Sequence, residues 1–186
     1  MMIPEIDIYP YRRAVNDPSS ANTPFSKIED YEIVVPCLNK DENIDYLFRS
    51  YCFRSYLYVT DIFPAMWDGS NDCFKRIISR EGYTVNMRKL SVTCLAIFIK
   101  HYIGNHVDSA MVVSGSYEYG EDNSNVSRKL RLYWAFFAPL LEKLSLRAVC
   151  IPELNAFVLV DKNSSVSDQK VVRDYGDFKN NQKVLE

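Results

Sequence analysis

Residues 88–103 constrain this chain more than any other stretch. Leu90, Cys94, Ile97 and His101 recur at helical spacing, and Val92, Leu95, Phe98, Ile99 and Tyr102 fill most of the remaining surface. A helix that is apolar nearly all round has no face to offer water and must be buried on several sides. Gly104-Asn105 supplies a C-cap. Ala110-Met111-Val112-Val113-Ser114 then reads as a buried strand, a short apolar run bounded by turn residues. A second helix is predicted from residue 128 to about 144, with Ser127 as N-cap and a stripe of Leu130, Trp134, Phe137 and Leu141. Pro139 inside it predicts a kink, or two short helices meeting there. Residues 147–151 and 156–160 read as two closing strands.

Upstream, residues 32–38 form a β-type run. Residues 46–59 are rich in aromatic side chains that suit a pleated surface, and read as one or two strands, with a helix as the alternative for the first half. Arg49 and Arg54 stand five apart and would face opposite sides of one unbroken strand, so at most one points into a given cleft. Cys73-Phe74 and Ile77-Ile78 are strand-like. From residue 55 the order is strand, strand, helix, strand, helix, strand, strand. That order implies an α/β (α+β) fold, a mixed central sheet flanked by helices. Residues 1–161 are expected to form a single domain, as 186 residues support one core. Pro4, Pro10, Pro18 and Pro24 mark residues 1–30 as an irregular arm, which Tyr9, Tyr11 and Phe25 could anchor. Arg12-Arg13 reads as a solvated pair or an anion clamp. Apart from Val171, Val172 and Phe178, residues 162–186 are polar and predict a mobile or loosely docked tail.

A net charge of -2 argues against a general nucleic-acid binder, which needs surplus Lys and Arg to neutralise phosphates. Neither a secretory leader nor an apolar run of about 20 residues is present, so no membrane association is expected. The five cysteines are scattered without a C-x-x-C pair, which reads as reduced thiols of a cytoplasmic protein. His101 and His106 are five apart, about 140° around a helix, and would not share a metal. No metal site is expected.

The segment Trp67-Asp68-Gly69-Ser70-Asn71-Asp72-Cys73-Phe74 resembles the W-E-x-S-R-F-C-hydrophobic signature of acyl-homoserine-lactone synthases. Arg54-Ser55-Tyr56-Leu57 with Phe63-Pro64 resembles that family's R-L-x-P-T … F-P run, and the helices and strands that follow come in its order. The likeness covers residues 45–160 and implies a GNAT-like acyltransferase fold. Asn71 stands where the family carries Arg, Asp72 where it carries Phe and Asp68 where it carries Glu.

The resemblance implies an acyl group moving from a thioester, on acyl carrier protein or acyl-CoA, to an amine, with S-adenosylmethionine as co-substrate. Asp68 would orient or deprotonate the amine, with Ser70 in polar contact. Arg54, Trp67, Val112, Val113 and Ser114 would line the substrate site, the donor arm lying between splayed parallel strands. Lys75, Arg76, Arg80 and Arg88 could meet a phosphate or an acidic carrier protein. The alternative from the same residues is a turn beside a core tryptophan, with solvated basic side chains. On that reading the chain is a non-catalytic inhibitor, immunity or regulatory protein that keeps the fold.

Overall fold

A computed structural model describes residues 7–14, 27–70, 76–117, 121 and 126–183. Among them, β1 (Tyr11–Arg13), β2 (Lys27–Pro36), β3 (Asn43–Phe53), β4 (Leu57–Pro64), β5 (Ala110–Ser114), β6 (Leu146–Ile151) and β7 (Ala156–Asp161) join in one sheet, ordered β1-β2-β3-β4-β5-β7-β6. Only the β4–β5 pairing is parallel among these ladders. A parallel neighbour needs a crossover connection, and α1 (Met87–Phe98) supplies it, extended by a π-helical turn over Ile99–Ile103. This is a mixed α+β fold.

Period-two alternation sends each strand's apolar residues to two faces. On one, Ile33, Tyr46, Phe48, Met111, Val113 and Leu159 pack with α1 and with α2 (Arg128–Leu141). On the other, Leu57, Val59, Val112, Val158 and Val160 pack with α3 (Asp168–Lys183). The predicted central helix is buried all round, from Leu90 to Phe98 without interruption. Asn86 caps it by accepting from the Lys89 amide. Ser127 accepts from the Leu130 amide at 3.2 Å, as its N-cap position predicted. The helix runs through Pro139 instead of dividing there, the proline forgoing the amide that would bond the Ala135 carbonyl. Ile77-Ile78, expected to be strand-like, instead opens a 3₁₀ turn over Ile78–Glu81; Cys73-Phe74 lies outside the described residues.

Two expectations about the termini change. The described part of the arm adds β1 to the sheet edge, with Tyr9 buried and its amide bonded to Thr93. Arg12 and Arg13 pair with Glu32 and Glu29 across that edge. The polar tail is α3. Val171, Asp174, Tyr175 and Phe178 all bury on one helical face despite the polar composition around them. No helix among the described residues is long and apolar enough to cross a membrane.

Candidate functional site

The site arises where β5 leaves β4. Their ladder ends at Thr60↔Val113, yet β4 continues to Pro64 and β5 stays paired with β7 to Ser114↔Ala156. Asn155, in the left-handed region at φ 49, holds β5 on the β7 side. Its carbonyl accepts from the Gly115 amide at 2.9 Å, its Nδ2 donates to the Gly115 carbonyl at 2.8 Å, and its Oδ1 accepts from the Ser127 amide. The same clamp fixes the start of α2. Only glycine fits at 115, since a Cβ would collide with Ser127 Oγ and lie 2.8 Å from Asn155 Nδ2. Gly115→Ala is expected to destabilise the fold by about 1–3 kcal/mol, read as a lowered urea midpoint.

The parted strands border a cleft of about 1260 Å³, ample for a cofactor-sized ligand. Its walls come from both sheet faces: Tyr46, Phe48, Met111 and Val113 on the α1/α2 side, Tyr51, Val59, Asp61 and Phe178 on the α3 side. Five cationic side chains (Arg76, Arg80, Arg128, Lys129 and Lys179) line it against two carboxylates, Asp61 and Glu121, although the whole chain is net acidic. Arg76 is paired with Glu81, and among the described residues the cleft wall still carries more cations than carboxylates, which suits an anionic ligand group.

The predicted site residues divide. Trp67, Val113, Ser114, Arg76 and Arg80 line the cleft, with the Arg76 guanidinium 4.6 Å above the buried Trp67 ring. Val112 lies on the opposite face of β5, in the α3 core, and the exposed Arg88 is not among the lining residues. Lys75, with Asn71 and Asp72, lies outside the described residues. Arg54 is committed elsewhere, donating to Asp174 and Asp177 of α3, both at 2.7 Å. Asp68 is exposed and does not line the cleft; both its oxygens accept from Arg49, at 2.9 and 3.1 Å. Ser70 closes a turn onto the Trp67 carbonyl. Arg49 and Arg54 serve different places because Arg54 lies in the hairpin turn beyond the end of β3, so the two do not share the single unbroken strand of the sequence reading.

One acid missing from the sequence reading stands in the gap itself. Asp61 is the first β4 residue beyond the β5 ladder, lines the cleft, and sits across from Arg49 on β3. Burial pushes its carboxyl up to about 6, with the Lys179 and Arg49 charges only partly offsetting it. The Tyr51 hydroxyl, also on the cleft wall, is pushed up to about 12 by burial and by the Asp61 charge. Such an acid exchanges protons near neutral pH, the property a general base needs. The available signal was an aspartate at an inward position of the Leu57, Val59, Asp61, Phe63 series.

Comparison with known proteins found no family model, no curated protein and no solved structure that matches this chain.

Proposed function

We propose that this protein is an acyltransferase that moves an acyl group from a thioester donor, acyl carrier protein or acyl-CoA, to an amine. The observation that carries this reading is the parting of the parallel β4–β5 pair over a cleft with cationic walls. Residues 61–64 of β4 have no β5 partner in register, so their backbone can meet a pantetheine arm as an added strand would. The cationic side chains suit the donor's phosphates or an acidic carrier. On this reading Asp61, rather than Asp68, accepts a proton from the amine as its nitrogen attacks the thioester carbonyl. The tetrahedral intermediate then collapses, the C–S bond breaks, and the thiol leaves with the proton. The resemblance around Trp67 names S-adenosylmethionine as an amine co-substrate.

The test is a mass-spectrometric panel of acetyl-CoA, longer acyl-CoAs and acyl-loaded carrier protein, each with and without S-adenosylmethionine. A product heavier by one acyl group supports transfer. Arg80→Glu is expected to weaken donor binding and flatten its salt dependence without loss of fold, since Arg80 is exposed. The capture of Asp68 by Arg49 favours a second reading, a binding protein that keeps the cleft without chemistry. Donor binding with no product would select it.

A further inference from the structure

Two hydroxyls in the α1/α2-side wall of the cleft find no partner among the described residues. Tyr46 is 2% exposed and Ser91 3%, both line the cleft, and neither Tyr46 Oη nor Ser91 Oγ has a hydrogen-bond partner among the described residues. An orphaned buried hydroxyl costs about 1–3 kcal/mol, so a fold seldom keeps two in one wall without use for them. Ser91 could have turned to the backbone of its own helix, as Thr93 does by donating to the Lys89 carbonyl at 2.8 Å. The same cleft also carries the apolar side chains Phe48, Val85, Met87 and Phe137, with the Tyr133 phenol near Tyr46.

We infer that this wall of the cleft is a subsite for an apolar ligand bearing one uncharged hydrogen-bonding oxygen, which Tyr46 and Ser91 meet. The apolar neighbours would leave a charged group unpaired and costly there, whereas a hydroxyl or ketone oxygen would satisfy both side chains. Burial pushes the Tyr46 hydroxyl up, with Tyr133 and Cys37 adding to it, so the phenol stays protonated and able to donate. The inference rests on the acyltransfer reading only in taking the ligand to be an acyl chain, the oxygen lying along that chain and the donor's anionic end at the cationic wall.

The probes are decanoic acid and its hydroxylated isomers, with the hydroxyl near the carboxyl, at mid-chain or at the far end. Binding to the full-length protein is measured by calorimetry, with no donor and no transfer required. One isomer is expected to bind about five- to tenfold more tightly than decanoic acid, the worth of a neutral hydrogen bond. Tyr46→Phe and Ser91→Ala are each expected to shrink that gain while leaving decanoic acid affinity unchanged. Because each removes an unsatisfied group, the melting temperature of the free protein should hold or rise in both variants. Equal binding of all four acids, no binding of any, or a gain that survives both substitutions would overturn the inference. So would a lowered melting temperature in both variants, which would mean that the hydroxyls are structural. A hydroxyl-dependent gain in a protein that transfers nothing would keep the subsite and remove the acyltransferase.

Discussion

Asp61→Asn is expected to cut acyl transfer by a factor of about 10²–10⁴ and to leave the protein at least as stable as before. The two effects have one cause. The Asp61 carboxyl is held at about 6 in the fold against an ordinary value of 3.8, because burial disfavours its charge more than Lys179 and Arg49 favour it. A group whose folded pKa is raised stabilises the fold while protonated, and that contribution is lost as pH rises from about 4 through about 6. Above that window the ionised aspartate is a cost, on the order of 1–2 kcal/mol once solvent screening at this partly exposed position is discounted. Asparagine removes the cost and the base together. The stability gap between variant and wild type should therefore be absent near pH 4 and full above pH 7. The wild-type rate should climb through an apparent pKa near 6. A variant that keeps its activity would take Asp61 out of the mechanism; one that loses both activity and stability would make Asp61 a structural residue.

The elements readable from sequence were those whose local chemistry and tertiary surroundings agree. Residues 110–114 are apolar at each of the first four positions because β5 is buried on both faces, so a contiguous run marks it to the residue. Ser127 announces α2 because its hydroxyl satisfies an amide three residues on, a wholly local event. The third helix was illegible for the opposite reason. Its buried stripe at Val171, Tyr175 and Phe178 has helical spacing, but Asp174 interrupts it, and an apolar count takes that aspartate for a solvent-facing residue. Its partners, Arg54 and Tyr56, stand about 120 residues earlier in the chain.

The candidate site divided along the same line. Trp67, Val113 and Ser114 reach the cleft because their positions follow from where a strand or turn ends. Asp68 and Arg54 carry the right chemistry but are taken by ion pairs that only the folded sheet creates. A motif states which residue types are present, not which of them are already bonded. Asp61 acquires its character from the point where β5 departs, and that point is set by Asn155, a residue of the β6–β7 turn with no local relation to β4. The groups most useful to chemistry here are defined by contacts between distant segments.

Asp174→Ala is expected to damage the fold severely, costing about 3–5 kcal/mol. Asp174 is fully buried on α3, and its Oδ2 accepts from the Tyr56 hydroxyl at 2.9 Å and from Lys170, its Oδ1 from Arg54 at 2.7 Å. Removing the carboxylate leaves a buried phenol and three cations, Arg54, Lys170 and Arg173, without their shared partner. Arg54 and Lys170 are partly exposed and can swing to water, which limits the loss. The hairpin adds to it. Arg54 and Ser55 stand at φ 51 and φ 62, the left-handed pair of a tight β3–β4 turn that ordinarily takes Asn-Gly, and the Arg54 clamp helps to hold that conformation. Burial alone would raise the Asp174 carboxyl, but Lys170, Tyr56 and Arg54 outweigh it and hold it below the ordinary carboxylate range. Its contribution is thus fully present above about pH 4 and is lost as pH falls through the folded value, so the gap between wild type and variant should close in acid. Asp174→Asn, which keeps a hydrogen-bonding oxygen for Tyr56 but no charge, should lose less. Chemical denaturation gives the magnitudes, and limited proteolysis locates them, since release of α3 would expose residues 162–167 to cleavage first. An alanine variant within about 1 kcal/mol of wild type would mean that Val171, Tyr175 and Phe178 alone hold α3 to the sheet.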